Sequence, residues 1–131
     1  MASLFTRIIK GEIPCHQIAA DARFFAFLDI KPINPGHTVV VPRLEIDRFF
    51  DLPDDVLREM LLFARPVARA IEKAVPCQRV GLLVAGLEVP HAHLHLVPIT
   101  GTGELSFDRA KAASQEELTR TAAKIRAQLG R

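Results

Sequence analysis

The chain has 131 residues, 49% hydrophobic and 24% charged, with 17 Lys and Arg against 15 Asp and Glu for a formal charge of +2. That length suits one domain with a single core over residues 1–131, and that composition excludes a chain dominated by disorder. No basic run offers a polyanion a continuous track, and Cys15 and Cys77 form neither a disulfide framework nor a paired zinc motif; no nucleic-acid partner and a reducing, cytoplasmic setting are expected.

Leu4, Phe5, Ile8 and Ile9 share one face of a short helix, with Ser3 as its cap and Gly11 at its end. Residues 16–20 and 24–30 read as an antiparallel hairpin turning at Asp21, Ala22 and Arg23. In KPINPGH, Pro35 presets φ at the second position of a type II turn, and Gly36 supplies the positive φ that the next position needs. HTVVVP follows as a β-branched strand, and Pro42 stops its ladder because it has no N–H to donate. From 52 to 75, Val56, Leu57, Met60, Leu61, Ala64, Val67, Ala68, Ile71, Ala74 and Val75 recur at helical spacing behind Pro53, Asp54 and Asp55, which suit a helix entry. Pro66 predicts a kink there, since it removes the bond to the Leu62 carbonyl at a cost of order 3 kcal/mol. Residues 79–85 and 91–98 read as a second antiparallel hairpin joined by GLEVP, and residues 99–113 as a loop. Ser114 with Glu117 forms the capping box of a last helix. The longest apolar stretch, residues 80–87, is far short of the roughly 20 that span a bilayer, and the opening residues lack a signal-peptide core. A soluble, unprocessed chain with no membrane partner is expected.

HAHLHLV is the string that carries chemistry. A strand of period two sends His91, His93 and His95 to one face, and Ala92, Leu94 and Leu96 to the other, where they can pack a core. Neighbouring rings are expected roughly 7 Å apart. At an effective dielectric of about 20, two imidazoliums at that spacing repel by about 2.4 kcal/mol, so only one is expected to be charged near neutrality. Such a row can set a neutral nucleophile beside a proton donor, the division of labour that substitution at phosphorus requires. A single strand histidine is ordinarily a half-exposed polar residue; three in strict alternation serve no structural need and point to catalysis or to metal. The metal alternative is a zinc hydrolase in which a third ligand such as His37 completes the site. Against it, the strand holds no acid, and the nearest, Glu88, lies in the preceding turn. With no Trp or Tyr, a flat ligand ring must rest on one of eight Phe or on aliphatic side chains.

HAHLHLV resembles the signature of the histidine triad (HIT) nucleotide-binding hydrolases. FTRIIKGEIP, FLDIKPINPGHTVVVPR and GLEVPHAHLHLVP resemble, in order, the family's opening, its central hairpin, and its signature strand with the lead-in turn. The resemblance implies an α+β fold of about five antiparallel strands with one long helix, a short N-terminal helix and a C-terminal helix. It also implies a homodimer whose two sheets are continuous across the interface. The implied activity is that of a nucleotidyl hydrolase or transferase that cleaves a nucleoside 5′-phosphoramidate or a dinucleoside polyphosphate at the α-phosphate. A purine nucleotide is the implied small-molecule partner, and no metal or other cofactor is implied for the reaction.

By the same resemblance, His93 is the nucleophile that carries the nucleotide as a covalent adduct. His95 contacts phosphate near the leaving group, and His91 and His37 orient and support the nucleophile. Asp29 grips the ribose hydroxyls, although alone it reads as a turn-initiating acid. Leu4, Phe5, Ile8, Phe27, Leu28 and Ile30 form the base pocket, although alone they read as core. Backbone N–H groups of Gly86, Leu87, Glu88 and Val89 can meet developing negative charge. Ser3, Thr6 and Glu45 stand where many members carry two cysteines and a histidine that help hold zinc, so a structural zinc is expected to be missing. Leu87 stands where many members have a Gln that meets the substrate phosphates, and the stretch before it is shortened. That departure sustains a second reading, a nucleotide-binding or protein-interaction module whose catalysis is vestigial.

Overall fold

A computed structural model of the chain describes residues 2–130; Met1 and Arg131, the two ends of the expected domain, lie outside the described residues. Five strands, β1 (Gln17–Ala20), β2 (Phe24–Leu28), β3 (Thr38–Pro42), β4 (Arg79–Leu83) and β5 (Leu94–Ile99), join in one antiparallel sheet of order β1-β2-β3-β5-β4. Three α-helices, α1 (Leu4–Ile9), α2 (Asp54–Ala74) and α3 (Gln115–Gln128), complete an α+β architecture. Among the described residues, no helix is long and apolar enough to cross a membrane.

Strand alternation divides the apolar residues between two unequal clusters. Phe24, Ala26 and Leu28 of β2, Val40 of β3 and Leu94 and Leu96 of β5 pack with Val56, Met60, Ala64, Val67 and Ile71 of α2 and with Leu118, Ala122 and Ile125 of α3. Each buried Phe, Leu, Val, Ile or Met among them contributes roughly 1.5–3 kcal/mol, so this face anchors the sheet. On the opposite face Phe25, Phe27, Val39 and Val41 pack with Phe5 and Ile8 of the short α1. That thinly covered face receives the histidines.

Local chemistry explains the boundaries. Ser3 caps α1 by accepting from the Thr6 amide, and Ser114 caps α3 by accepting from the Glu117 amide. The turn between β2 and β3 closes with the His37 amide donating to the Asn34 carbonyl. Gly36 takes φ 101°, and a Cβ there would stand 2.9 Å from Val75 Cγ2, so both backbone and packing demand glycine. Pro66 does not end α2, which runs on to Ala74 with Pro66 and Leu62 both exposed.

The second hairpin differs from the expected one. β4 ends at Leu83 and β5 begins at Leu94, so residues 84–93, including His91 and His93, precede the ladder. The cause lies in β3: its pairing of Val39 with His95 and Val40 with Leu94 would continue through Val41 and His93 to set Pro42 opposite Ala92, and proline has no N–H to offer. The Ala92 amide donates instead to the Ile46 carbonyl at 2.7 Å. Residues 99–113 contain two short 3₁₀ turns, Thr102–Glu104 and Phe107–Arg109, rather than an open loop.

Candidate active site

β5 and the segment leading into it carry His91, His93 and His95, and the residue before β3 adds His37. All four are buried, His37 and His91 at 0% exposure and His93 and His95 at 6%. Their rings are closer than strand spacing alone predicts: the His93 and His95 centroids lie 4.9 Å apart. Phe5 stands edge-on to His93 at 4.8 Å and Phe27 to Phe5 at 5.5 Å, while Phe107 stands edge-on to His95 at 4.9 Å. A row of rings thus runs from the apolar cluster under α1 through the two histidines to the 3₁₀ turn at Phe107.

Each ring's protons follow from its partners, because a carbonyl oxygen only accepts and a backbone N–H only donates. His93 Nδ1 lies 2.7 Å from the His91 carbonyl, so Nδ1 carries the proton and Nε2 keeps a free lone pair. His37 Nδ1 accepts from the Ile33 amide at 3.0 Å, so its proton sits on Nε2 and is donated to His95 Nδ1 at 2.8 Å. Neutral His95 therefore presents an Nε2–H. His91 donates Nε2–H to the Pro42 carbonyl at 2.7 Å, leaving Nδ1 to accept from Ser3 Oγ at 2.7 Å.

Electrostatics favour the neutral forms of His37, His93 and His95. Burial lowers His37, with Asp29 opposing it, and burial lowers His93, opposed by its bond to the His91 carbonyl. His95 drops to about 3, through burial first and then the neighbouring His37 and His93. The site can offer one unprotonated imidazole nitrogen beside one imidazole N–H with no proton taken from bulk water.

The remaining expected residues divide. Phe5, Ile8 and Phe27 lie together on the histidine face, with Val89 packed against them. Leu28 lies on the opposite face in the helix-side core, as strand alternation after Phe27 requires. Leu4 and Ile30 are exposed at 45% and 58%, and Leu87 at 92%. Gly86 and Glu88 are exposed too. Asp29, half-buried, turns one carboxylate oxygen to the Lys31 amide at 2.9 Å and the other toward His37 Nε2 at 3.7 Å. Three groups of this site read only weakly in sequence. Ile33, whose amide sets the His37 tautomer, carries no motif, and Phe107 lies within a stretch read as loop. Ser3 reads as a helix cap, and both Ser3 and Thr6 as departures from a zinc site, neither as a partner of His91.

Two places could be considered for metal. Asp29, His37 and His95 bring ligand-capable atoms within 4.8 Å of one another. His37 fits poorly, since its only proton sits on the nitrogen that would ligate; an ion there demands either an imidazolate or loss of the Ile33 bond. Beside His91, the donors are two neutral hydroxyls and a carboxylate rather than the thiolates and imidazole that zinc favours. Thr6 Oγ1 already donates to Glu45 Oε1 at 2.5 Å and Ser3 Oγ already bonds His91, so this group does not suit zinc.

Comparison with known proteins agrees with this geometry. The HIT domain family matches residues 10–102. An uncharacterized HIT-like protein of Methanocaldococcus jannaschii is 37% identical over 124 residues, which cover 88% of this chain and 94% of that protein. Adenosine 5′-monophosphoramidase HNT1 of Saccharomyces cerevisiae is 34% identical over 102 residues, 74% of this chain and 62% of that one. Among solved structures, a Hit-like protein involved in cell-cycle regulation from Bartonella henselae has a TM-score of 0.86 at 28% identity, over 97% of this chain and 96% of that one. The chain belongs to the HIT family.

Proposed function

We propose that this protein is a nucleotidyl hydrolase or transferase that cleaves a nucleoside 5′-phosphoramidate or dinucleoside polyphosphate through a covalent nucleotidyl adduct on His93. The observation that carries the reading is the His93 ring, whose Nδ1–H is committed to the His91 carbonyl while burial keeps Nε2 neutral. Nε2 attacks the α-phosphorus, and the P–N bond forms as the bond to the leaving group breaks with its electron pair, an amine already protonated on nitrogen departing neutral and a phosphate departing as its anion. Water or another acceptor then attacks the same phosphorus and releases its proton to solvent, and the P–N pair returns to Nε2. His95 donates its Nε2–H to oxygen on the phosphoryl group or leaving group, and His37 holds His95 in that tautomer. Asp29 meets the ribose hydroxyls, and Phe5, Ile8 and Phe27 give a purine ring an apolar wall. No step calls for a metal or other cofactor.

The yeast phosphoramidase among the relatives supports the phosphoramidate class of substrate. Two free cysteines accord with a cytoplasmic protein, and the open edge of β4 accords with a homodimer. The test mixes the protein with adenosine 5′-phosphoramidate, quenches it during turnover and maps the mass of one nucleotidyl group. The expected adduct sits on His93, and His93→Ala is expected to lose roughly a thousandfold or more in kcat/KM. Turnover that survives this substitution removes the assignment.

Leu87, fully in solvent on the 84–93 connection, favours one alternative: a nucleotide-binding or protein-interaction module with little catalysis. Calorimetry separates the two, because tight AMP binding with negligible turnover across phosphoramidates and dinucleoside polyphosphates would select the module.

A further inference from the structure

We infer that Ser3, Thr6 and Glu45 act as positioning residues for this reaction, a hydroxyl relay that fixes the tautomer and orientation of His91 and, through its carbonyl, the ring of His93. The inference rests on the proposed role of His93 but is built on different atoms. His91 is fully buried and Ser3 nearly so, so neither can leave a polar atom unpaired without cost. Because the Pro42 carbonyl takes the His91 Nε2–H, Nδ1 needs a donor, and Ser3 Oγ–H at 2.7 Å supplies it. Ser3 Oγ in turn accepts from the Thr6 amide at 3.0 Å. Glu45 Oε1 accepts both from the Ser3 amide at 2.8 Å and from Thr6 Oγ1 at 2.5 Å, which fixes the first turn of α1 against the segment that follows β3.

The relay can also reverse. With Nδ1 protonated, His91 donates to Ser3 Oγ, Ser3 Oγ–H turns to Thr6 Oγ1 at 3.3 Å, and Thr6 still donates to Glu45. Both protonation states of His91 are therefore fully hydrogen-bonded, with a carboxylate at the far end of the chain. The His91 carbonyl, which takes the His93 Nδ1–H at 2.7 Å, stays in place whichever state the ring adopts. As His93 bonds to phosphorus, positive charge grows on its ring, and a fixed carbonyl oxygen opposite Nδ1–H stabilises it.

The test uses Ser3→Gly, which removes the hydroxyl while glycine remains a tolerated helix cap, and Ser3→Thr, which restores a hydroxyl. Nitrogen-15 spectra of the imidazoles are expected to show His91 as the Nε2–H tautomer with a hydrogen-bonded Nδ1. In Ser3→Gly that Nδ1 signal is expected to move to the unbonded position, and kcat on adenosine 5′-phosphoramidate to fall about tenfold with KM within about twofold. Ser3→Thr is expected to recover both readouts. Wild-type His91 signals in Ser3→Gly, or a loss confined to KM, would overturn the relay. A wild-type protein that turns over no phosphoramidate would overturn the proposed function instead, and the imidazole spectra would then decide the relay alone.

Discussion

His95 lies among His37, His93 and Phe107, and that setting takes it from 6.5 to about 3. Between those two values the unfolded chain binds a proton that the folded chain refuses. Stability is therefore complete above about 6.5 and declines as pH falls through the window, at up to about 1.4 kcal/mol per pH unit for each such proton. His37 and His93, also lowered by burial, add with the same sign. Urea melts at pH 7.5, 6 and 5 are expected to show falling stability, with a shallower slope in His95→Gln; a flat profile would mean that the rings are solvated. Burial lowers His93 as well, which places the acid limb of kcat/KM below the ordinary imidazole value, so activity is expected to persist at pH 6. The order of these residues was legible, since period-two alternation separates His93 and His95 from Leu94 and Leu96. Which nitrogen each ring exposes was not, because the Ile33 amide and the Pro42 and His91 carbonyls decide it, and backbone groups leave no mark on residue identity.

At the scale of elements, the helices were the most readable parts. Ser3, Pro53 and Ser114 mark three helix starts by local chemistry that needs no distant partner. Residues 84–85 and 91–93 lie outside the strands that the sequence predicts for them, because Val, Ala and His suit either state and only the contacts of His91 with Pro42 and of Ala92 with Ile46 settle the matter. The 99–113 segment reads as a loop, and Asn34 ties it down: Asn34 Nδ2 donates to the Pro98 carbonyl and to Glu104, and Arg109 donates to Asn34 Oδ1. The Lys111 and Ala113 amides then bond the Pro32 and Ile30 carbonyls. This strap holds Phe107 against His95. An edge-on aromatic pair contributes about 1 kcal/mol, so Phe107→Ala is expected to lower kcat/KM roughly fivefold with the fold intact. Unchanged kinetics on adenosine 5′-phosphoramidate would leave Phe107 as surface packing only.

For the molecule as a whole, an antiparallel α+β arrangement was readable from alternating strands and two amphipathic helices. The position of β5 between β3 and β4 was not, because it depends on where a chain returning from α2 enters the sheet. That order leaves β1 and β4 as the edges, and they differ in cover. β1 is irregular, packs near α3, and has the Gln17 carbonyl taken by Arg126 at 2.7 Å, all of which blunt an edge. β4 carries Leu82 at 48% exposure, and α2 adds exposed Leu61 and Leu62. An open edge beside exposed leucines favours pairing with a second copy, and twofold symmetry counts every contact twice. If the chain forms the proposed homodimer through β4, Leu82→Lys is expected to weaken it roughly a hundredfold, taking about 1.5 kcal/mol for each buried leucine, with sedimentation velocity as the readout. Since β4 sets Leu83 directly opposite His95, the monomeric variant is also expected to lose activity, as the strand bordering the histidine row gains mobility. A wild-type chain that sediments as a monomer at every concentration would remove β4 as an interface, and a monomeric variant with full activity would show that the row of histidines is held by its own sheet alone.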